Sequence, residues 1–194
     1  NAVMMAYYPG MEGGTAIAEI IYGDVNPSGK LPYVVPVSEE DLPHVDWEAT
    51  DQYYEYYHGY TRLEKNGVKP LVPYGFGLSY TTFEITAPEA KVEGDNLVVT
   101  ANVKNTGKMD GDEVVQLYVR FDSAVDRPVK QLRGFQRISL KAGEEKKVTV
   151  STPLEKLKWY NPVYREWQLE HVEHSAYVGS SSASEDLVKT SIVL

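Results

Sequence analysis

Cysteine is absent from all 194 residues, which excludes disulfides, thiolate nucleophiles and cysteine-based zinc sites and removes any clue to redox compartment. Long apolar runs are missing too. No window approaches the roughly 18 uninterrupted apolar residues of a membrane span, and the opening Asn1-Ala2-Val3-Met4-Met5 lacks the basic start and cleavage site of a secretory signal. Positive charge is scarce: 19 Lys and Arg face 28 Asp and Glu, for a net charge of −9. That argues against a nucleic-acid partner, because phosphate binding needs a basic face to release counterions.

What is present is uneven. The length suits one or two domains with a sizeable core. Tyrosine occurs 15 times against three Trp and four Phe, and amphipathic rings suit surfaces that are half buried and half wet. The interval Leu31 to Thr61 contains Glu39, Glu40, Asp41, Asp46, Glu48, Asp51 and Glu55 with no Lys or Arg, so it holds −7 of the −9.

Residues 1–38 read as strand, glycine turn, helix, turn, strand. Ala2 to Tyr8 is a nearly continuous apolar run, the pattern of a strand buried on both faces of a parallel sheet. Pro9-Gly10 stops it. Ile17, Ile20 and Ile21 then share a helical face, with Gly13, Gly14 or Thr15 as the start signal and Gly23 as the breaker. Asp24 to Gly29 is turn chemistry, and Leu31 to Val37 is a second extended run. About forty residues of this kind cannot cover their own apolar faces, so the piece is expected to be the end of a larger α/β sandwich domain. On this pattern the chain is a fragment, a processed subunit or one part of a split protein.

Residues 39–80 show no clean period and read as a Tyr-rich acidic connector wrapping a surface. From Thr81 short alternating runs are separated by turn signals roughly every 8–12 residues, the spacing of a β-sandwich, so residues 81–194 are expected to form an all-β immunoglobulin or fibronectin type III-like domain. The clearest strands are Leu97 to Val103, Val114 to Val119, Lys147 to Ser151, Ser175 to Gly179 and Val188 to Leu194. Alternation turns Tyr118, Phe135, Trp159, Trp167 and Tyr177 toward the core.

These residues resemble a known family. Tyr8-Pro9-Gly10-Met11-Glu12-Gly13-Gly14, then Gly23-Asp24-Val25-Asn26-Pro27-Ser28-Gly29-Lys30-Leu31-Pro32, then Pro73-Tyr74-Gly75-Phe76-Gly77-Leu78-Ser79-Tyr80 are similar to three successive motifs of glycoside hydrolase family 3, the β-glucosidase type. Tyr54 to Tyr60 looks like the tyrosine-rich segment between the second and third. Val103 to Val119, Gln131 to Phe135 and Val178 to Ser182 resemble the family's fibronectin type III-like domain. One departure is His171-Val172-Glu173-His174, where relatives usually turn on Pro-Gly before the penultimate strand.

The resemblance implies a retaining β-glycosidase acting on terminal non-reducing β-D-glycosyl residues, without cofactor or metal. It also implies that both catalytic carboxylates, an Asp in a barrel and a Glu upstream of the first motif, lie outside this chain. The implied partners are the remainder of the glycosidase, with its barrel and the rest of the α/β sandwich, and a carbohydrate substrate. A non-catalytic binding or adhesion module is the competing reading.

Three residues are candidates for touching sugar. Glu12 stands in a glycine-rich turn at the C-terminal end of a strand, where open α/β sheets gather ligands; alternatively its carboxylate caps the following helix. Phosphate is a poor fit there, since Gly10, Gly13 and Gly14 lack the dinucleotide spacing and Glu12 repels an anion. Tyr54 and Tyr57, within the cluster Tyr53, Tyr54, Tyr56, Tyr57 and Tyr60, could stack on pyranose C–H groups, or the cluster could clasp the connector between the two folded parts. The clasp is the favoured reading. Asp24, Asn26 and Ser28 read as turn formers rather than calcium ligands, His171 and His174 lack an obvious third ligand, and His44 and His58 have no triad partner.

Overall fold

The computed structural model describes residues 2–121 and 125–194. An extended lead runs into α1 (Gly13–Tyr22), a short 3-10 turn at Glu39–Asp41 and α2 (Gly59–Lys65). The strands follow: β1 (Phe83–Glu93), β2 (Asn96–Asn105), β3 (Gly111–Phe121), β4 (Gln131–Leu140), β5 (Glu145–Pro153), β6 (Trp159–Asn161), β7 (Glu166–Gln168), β8 (Glu173–Gly179) and β9 (Leu187–Val193). Two antiparallel sheets, β1-β2-β5 and β4-β3-β8-β9, face each other, and β6-β7 forms a separate hairpin.

The core follows from period-two alternation. Leu97, Val99, Ala101 and Val103 of β2 meet Val115, Leu117, Val119 and Phe121 of β3, with Val148 and Val150 of β5 and Ala176 and Val178 of β8 completing the layer. Register places Val99 opposite Val150 and Tyr118 opposite Tyr177. A bulge between Leu117 and Tyr118 shifts the pairing with β4. Gly134 of β4 sits where the sheets approach closely: a Cβ there would lie 2.9 Å from Val150 Cγ1.

At the rim of the sandwich, buried Asn105 ties several loops together. Its Oδ1 accepts from the Thr81 hydroxyl at 2.6 Å and the Gly107 amide at 3.1 Å, while Nδ2 donates to the carbonyls of Met109 and Leu140 at 2.8 and 3.2 Å. A fully buried amide with both ends satisfied fixes where the chain leaves β2 and returns at β3.

The lead differs from expectation. Ala2 to Tyr8 forms no strand, and Leu31 to Val37 contributes a single bridge, Val35 to Val72. A parallel strand needs a hydrogen-bonded neighbour, and no strand among the described residues lies beside this run. α1 does form and ends at Gly23 with φ +83°, its amide donating to the Ile20 carbonyl. Two sandwich aromatics are also corrected: Phe135 and Trp167 are 67% and 64% exposed, because β4 is an edge strand and β7 lies in the outer hairpin. Tyr118 is fully buried, and Trp159 and Tyr177 are half-buried.

Leu117→Ala removes a fully buried side chain from the centre of β3. It is expected to lower unfolding free energy by about 2–5 kcal/mol in urea titration, and a loss below about 1 kcal/mol would mean the core is not organised around this layer.

Candidate functional site

The lead is seated on the sandwich by polar contacts. Asn26 Nδ2 donates to the Asp110 carbonyl at 3.0 Å, and its Oδ1 accepts from Ser79 Oγ at 2.9 Å and the Tyr80 amide at 2.8 Å. Tyr80 in turn donates its hydroxyl to the Ile20 carbonyl near the end of α1 at 2.6 Å. Lys30 pairs with Glu113 of β3 at 2.7 Å, the two side chains being 13% and 7% exposed. The Leu31 amide donates to the Phe76 carbonyl at 2.8 Å and the Gly75 amide donates to the Leu31 carbonyl at 2.9 Å, so the Asn26-to-Pro32 turn and the Pro73-to-Tyr80 stretch form one unit.

The connector is fastened by a second group. Gln116 Nε2 donates to the Gly75 carbonyl at 2.9 Å and the Ser180 carbonyl at 2.6 Å, while its Oε1 accepts from the Tyr118 hydroxyl at 2.6 Å. Gly75 has φ +76° and a Cβ there would fall 2.1 Å from Gln116 Oε1, so both backbone angle and space require glycine. Tyr60 of α2 stacks on Tyr74 at 4.9 Å between centroids, meets Tyr118 edge-on at 6.2 Å, and accepts from the Leu132 amide at 2.9 Å. Burial pushes the Tyr60 phenol up to about 12 and raises that of Tyr118 as well.

Ionisable groups in this region are paired rather than poised. Buried Lys130 bonds Glu64, whose carboxyl burial nevertheless raises. Arg127 donates to Glu170 at 3.1 Å and to the Leu157 carbonyl at 2.9 Å. Tyr57 donates to Asp126 at 2.6 Å, and Lys65 lies 3.7 Å over the Tyr57 ring and 2.9 Å from the same carboxylate. The bonds from Tyr57 and Lys65 hold the Asp126 carboxyl below its ordinary range.

Glu12, Tyr54 and Tyr57 are not brought together. Glu12 occupies the N-cap of α1, yet its exposed side chain makes no capping bond, so the capping alternative is not realised. Tyr54 is 62% exposed, as are Tyr53 and Trp47 at 89% and 91%. Tyr57 is committed to Asp126. Among the described residues no group of three His, Asp or Glu could hold a metal. His174 is buried with Nε2 against the Glu170 carbonyl at 3.1 Å, whereas His171 meets the Leu194 carbonyl on the surface.

Sequence reasoning missed Asn26, Ser28, Lys30 and Gln116 as tertiary ties. Asn26 and Ser28 read as turn formers, but Asn26 bridges three groups and Ser28 accepts from Arg137 at 3.0 Å. Their partners lie far along the chain, and no local periodicity signals a contact across that separation. The half-buried carboxylate of Glu64 and the buried one of Glu113 face lysines, not open space, so neither is arranged as a general acid or nucleophile.

Residues 1–80 match the family model described as the glycosyl hydrolase family 3 C-terminal domain, and residues 113–182 match a fibronectin type III-like domain. The chain is similar to the thermostable β-glucosidase B of Acetivibrio thermocellus, at 39% identity over 94% of this chain and 25% of the relative. It is 35% identical to a xylan 1,4-β-xylosidase of Xylanibacter ruminicola, over 100% of this chain and 22% of that protein. Among solved structures, a β-glucosidase from Streptomyces venezuelae in complex with D-glucose superposes with a TM-score of 0.86 at 36% identity, over 97% of this chain and 25% of that one. The chain thus spans about a quarter of the length of the relatives it matches.

The tyrosine clasp generates a pH prediction. Folded Tyr60 keeps its proton up to about 12, whereas an unfolded tyrosine loses it near 10, so its contribution is complete below about pH 10 and is lost as pH rises through 12. Urea midpoints measured from pH 8 to 11.5 are expected to fall less steeply in Tyr60→Phe, the difference approaching at most roughly 2–3 kcal/mol. Identical slopes would show that the phenol is not sheltered.

Proposed function

Because the chain belongs to glycoside hydrolase family 3, we propose that it is the architectural part of a retaining β-glycosidase, a β-glucosidase in the first instance, that releases terminal non-reducing β-D-glycosyl residues. On this reading residues 1–38 complete an α/β sandwich domain, residues 39–80 strap it to its neighbour and residues 81–194 brace the assembly. The barrel and the rest of the α/β sandwich, on another chain or segment, supply the chemistry.

The observation that carries the proposal is the exposed apolar lead. Val3 is 93% exposed, Met5 52%, Tyr8 102%, Met11 102% and Ile21 64%, in the same segment that matches the enzyme family's domain. Side chains of that kind are favourable only when something covers them. A free-standing adhesion module would have no use for them. Retaining hydrolysis needs two carboxyl groups about 5–5.5 Å apart, one attacking the anomeric carbon and one protonating the leaving oxygen. Glu64 and Glu113, the carboxylates described above, are each tied to a lysine instead. Bracing matters for rate because a displacement of about 1 Å at the reacting atoms can cost about a hundredfold. β-Glucosidase and β-xylosidase both occur among the relatives' names, and the sugar-contacting subsites of this reading lie in the upstream parts.

The chain alone is expected to leave 4-nitrophenyl β-D-glucoside unhydrolysed, and addition or fusion of the upstream barrel and α/β parts is expected to produce turnover whose first-formed sugar is the β anomer by proton NMR. Turnover by the isolated chain at the rate of a complete glycosidase would overturn the division of roles. An initial α anomer would overturn the retaining mechanism.

A further inference from the structure

A second concave feature lies away from the lead. An open groove of about 790 Å³ runs between Tyr56 of the connector, the start of β4 and the β6-β7 hairpin. One side is aromatic. Tyr160 and Trp167 are cross-strand partners on the hairpin, packed edge to face at 5.6 Å, yet 48% and 64% exposed. Trp159 and Tyr56 line the same groove. The hairpin stands outside both sheets, so these faces are not spent on the sandwich core.

The charge is as uneven as the surface. Two of the lining ions are already satisfied, Arg127 by Glu170 at 3.1 Å and Asp126 by Lys65 at 2.9 Å. Among the described residues Arg133 donates to Gln131 Oε1 and lies over the Phe121 ring at 5.6 Å without an ion pair, Lys156 and Lys158 have no ion pair, and Glu155 is the remaining carboxylate of the lining. The groove therefore keeps a positive excess in a chain whose net charge is −9. Two buried donors of the lining, Arg133 Nε and Trp159 Nε1, also lack an acceptor among the described residues. Lysines without an ion pair beside flat aromatic faces fit a ligand that brings negative charge and C–H faces together.

We propose that this groove binds an acidic sugar, a hexuronate residue carried on an oligosaccharide, with Trp167 and Tyr160 stacking on pyranose rings and Lys156, Lys158 and Arg133 meeting the carboxylate. A neutral sugar would leave the positive excess unmatched. A nucleic acid, which also brings rings and anions, is opposed by the acidic charge of the whole chain, whereas a single carboxylate senses mainly the local cations. The groove is built from residues 56 to 167 alone, so this inference stands apart from the proposed catalytic role.

Tryptophan fluorescence of the 194-residue chain reports on the groove, since Trp159 and Trp167 line it and Trp47 does not. Titration with a glucuronate-branched xylo-oligosaccharide is expected to saturate with a Kd of about 1 mM or tighter, with the unbranched xylo-oligosaccharide at least about tenfold weaker. Trp167→Ala, a surface change, is expected to abolish the response with the far-ultraviolet circular dichroism unchanged. Lys158→Gln is expected to weaken the acidic ligand about fivefold or more and leave the neutral one unaffected. Equal affinity for both oligosaccharides, equal competition by acetate, tighter binding of an oligonucleotide, or no saturation would each overturn the proposal.

Discussion

The structure depends on a mismatch in its first 25 residues: they carry apolar side chains that nothing in the described chain covers. Val3, Met4, Met5, Ile21 and Val25 are all exposed, and full burial of such a side chain is worth about 1.5–3 kcal/mol. A segment left this way gains nothing from burial of its own. It is held by Asn26, Lys30 and Tyr80, whose polar contacts fix the following turn without needing the lead to bury anything. The turn is therefore positioned by the sandwich and not by burial of the lead.

The sandwich makes that positioning possible because its own core is complete. Asn105 and Gln116 are buried amides whose bonds reach loops and the connector as well as neighbouring strands, and removing either side of such a bond leaves a polar group stranded. Lys30 and Glu113 work the same way. Replacing such a pair by apolar residues can be neutral, but breaking it strands a buried charge, so its contribution is to placement rather than to raw stability. The tyrosines divide along the same line. Tyr57 and Tyr60 tie the connector to the sandwich side through Asp126 and Leu132, while Tyr53 and Tyr54 remain exposed.

How much of this was legible in the sequence depends on whether the signal was local. α1 and its Gly23 stop are local, as are β2, β3, β5, β8 and β9, whose alternation faces a well-defined core. β1 and β4 were harder to see, because β1 carries Pro88 and a register shift and β4 is a polar edge strand built from residues such as Arg133, Gln136 and Arg137. α2 is only seven residues long and starts at Gly59, so it gives too few turns for a period. The run Ala2 to Tyr8 shows the opposite failure: its pattern is that of a buried strand, but the pattern describes an environment the described chain does not supply. Asn26, Lys30 and Gln116 escaped notice because a polar residue in a turn or strand looks the same whether or not a distant partner awaits it.

The uncovered lead can be tested by hydrogen exchange on the chain alone and again with the upstream α/β part supplied. Amides of Gly13 to Tyr22 are expected to exchange with little protection in the isolated chain, while those of Leu97 to Val103 and Val115 to Val119 stay protected to near the global unfolding limit. Supplying the upstream part should then slow the α1 amides. Strong protection of α1 in the isolated chain, equal to that of the sandwich core, would contradict the account.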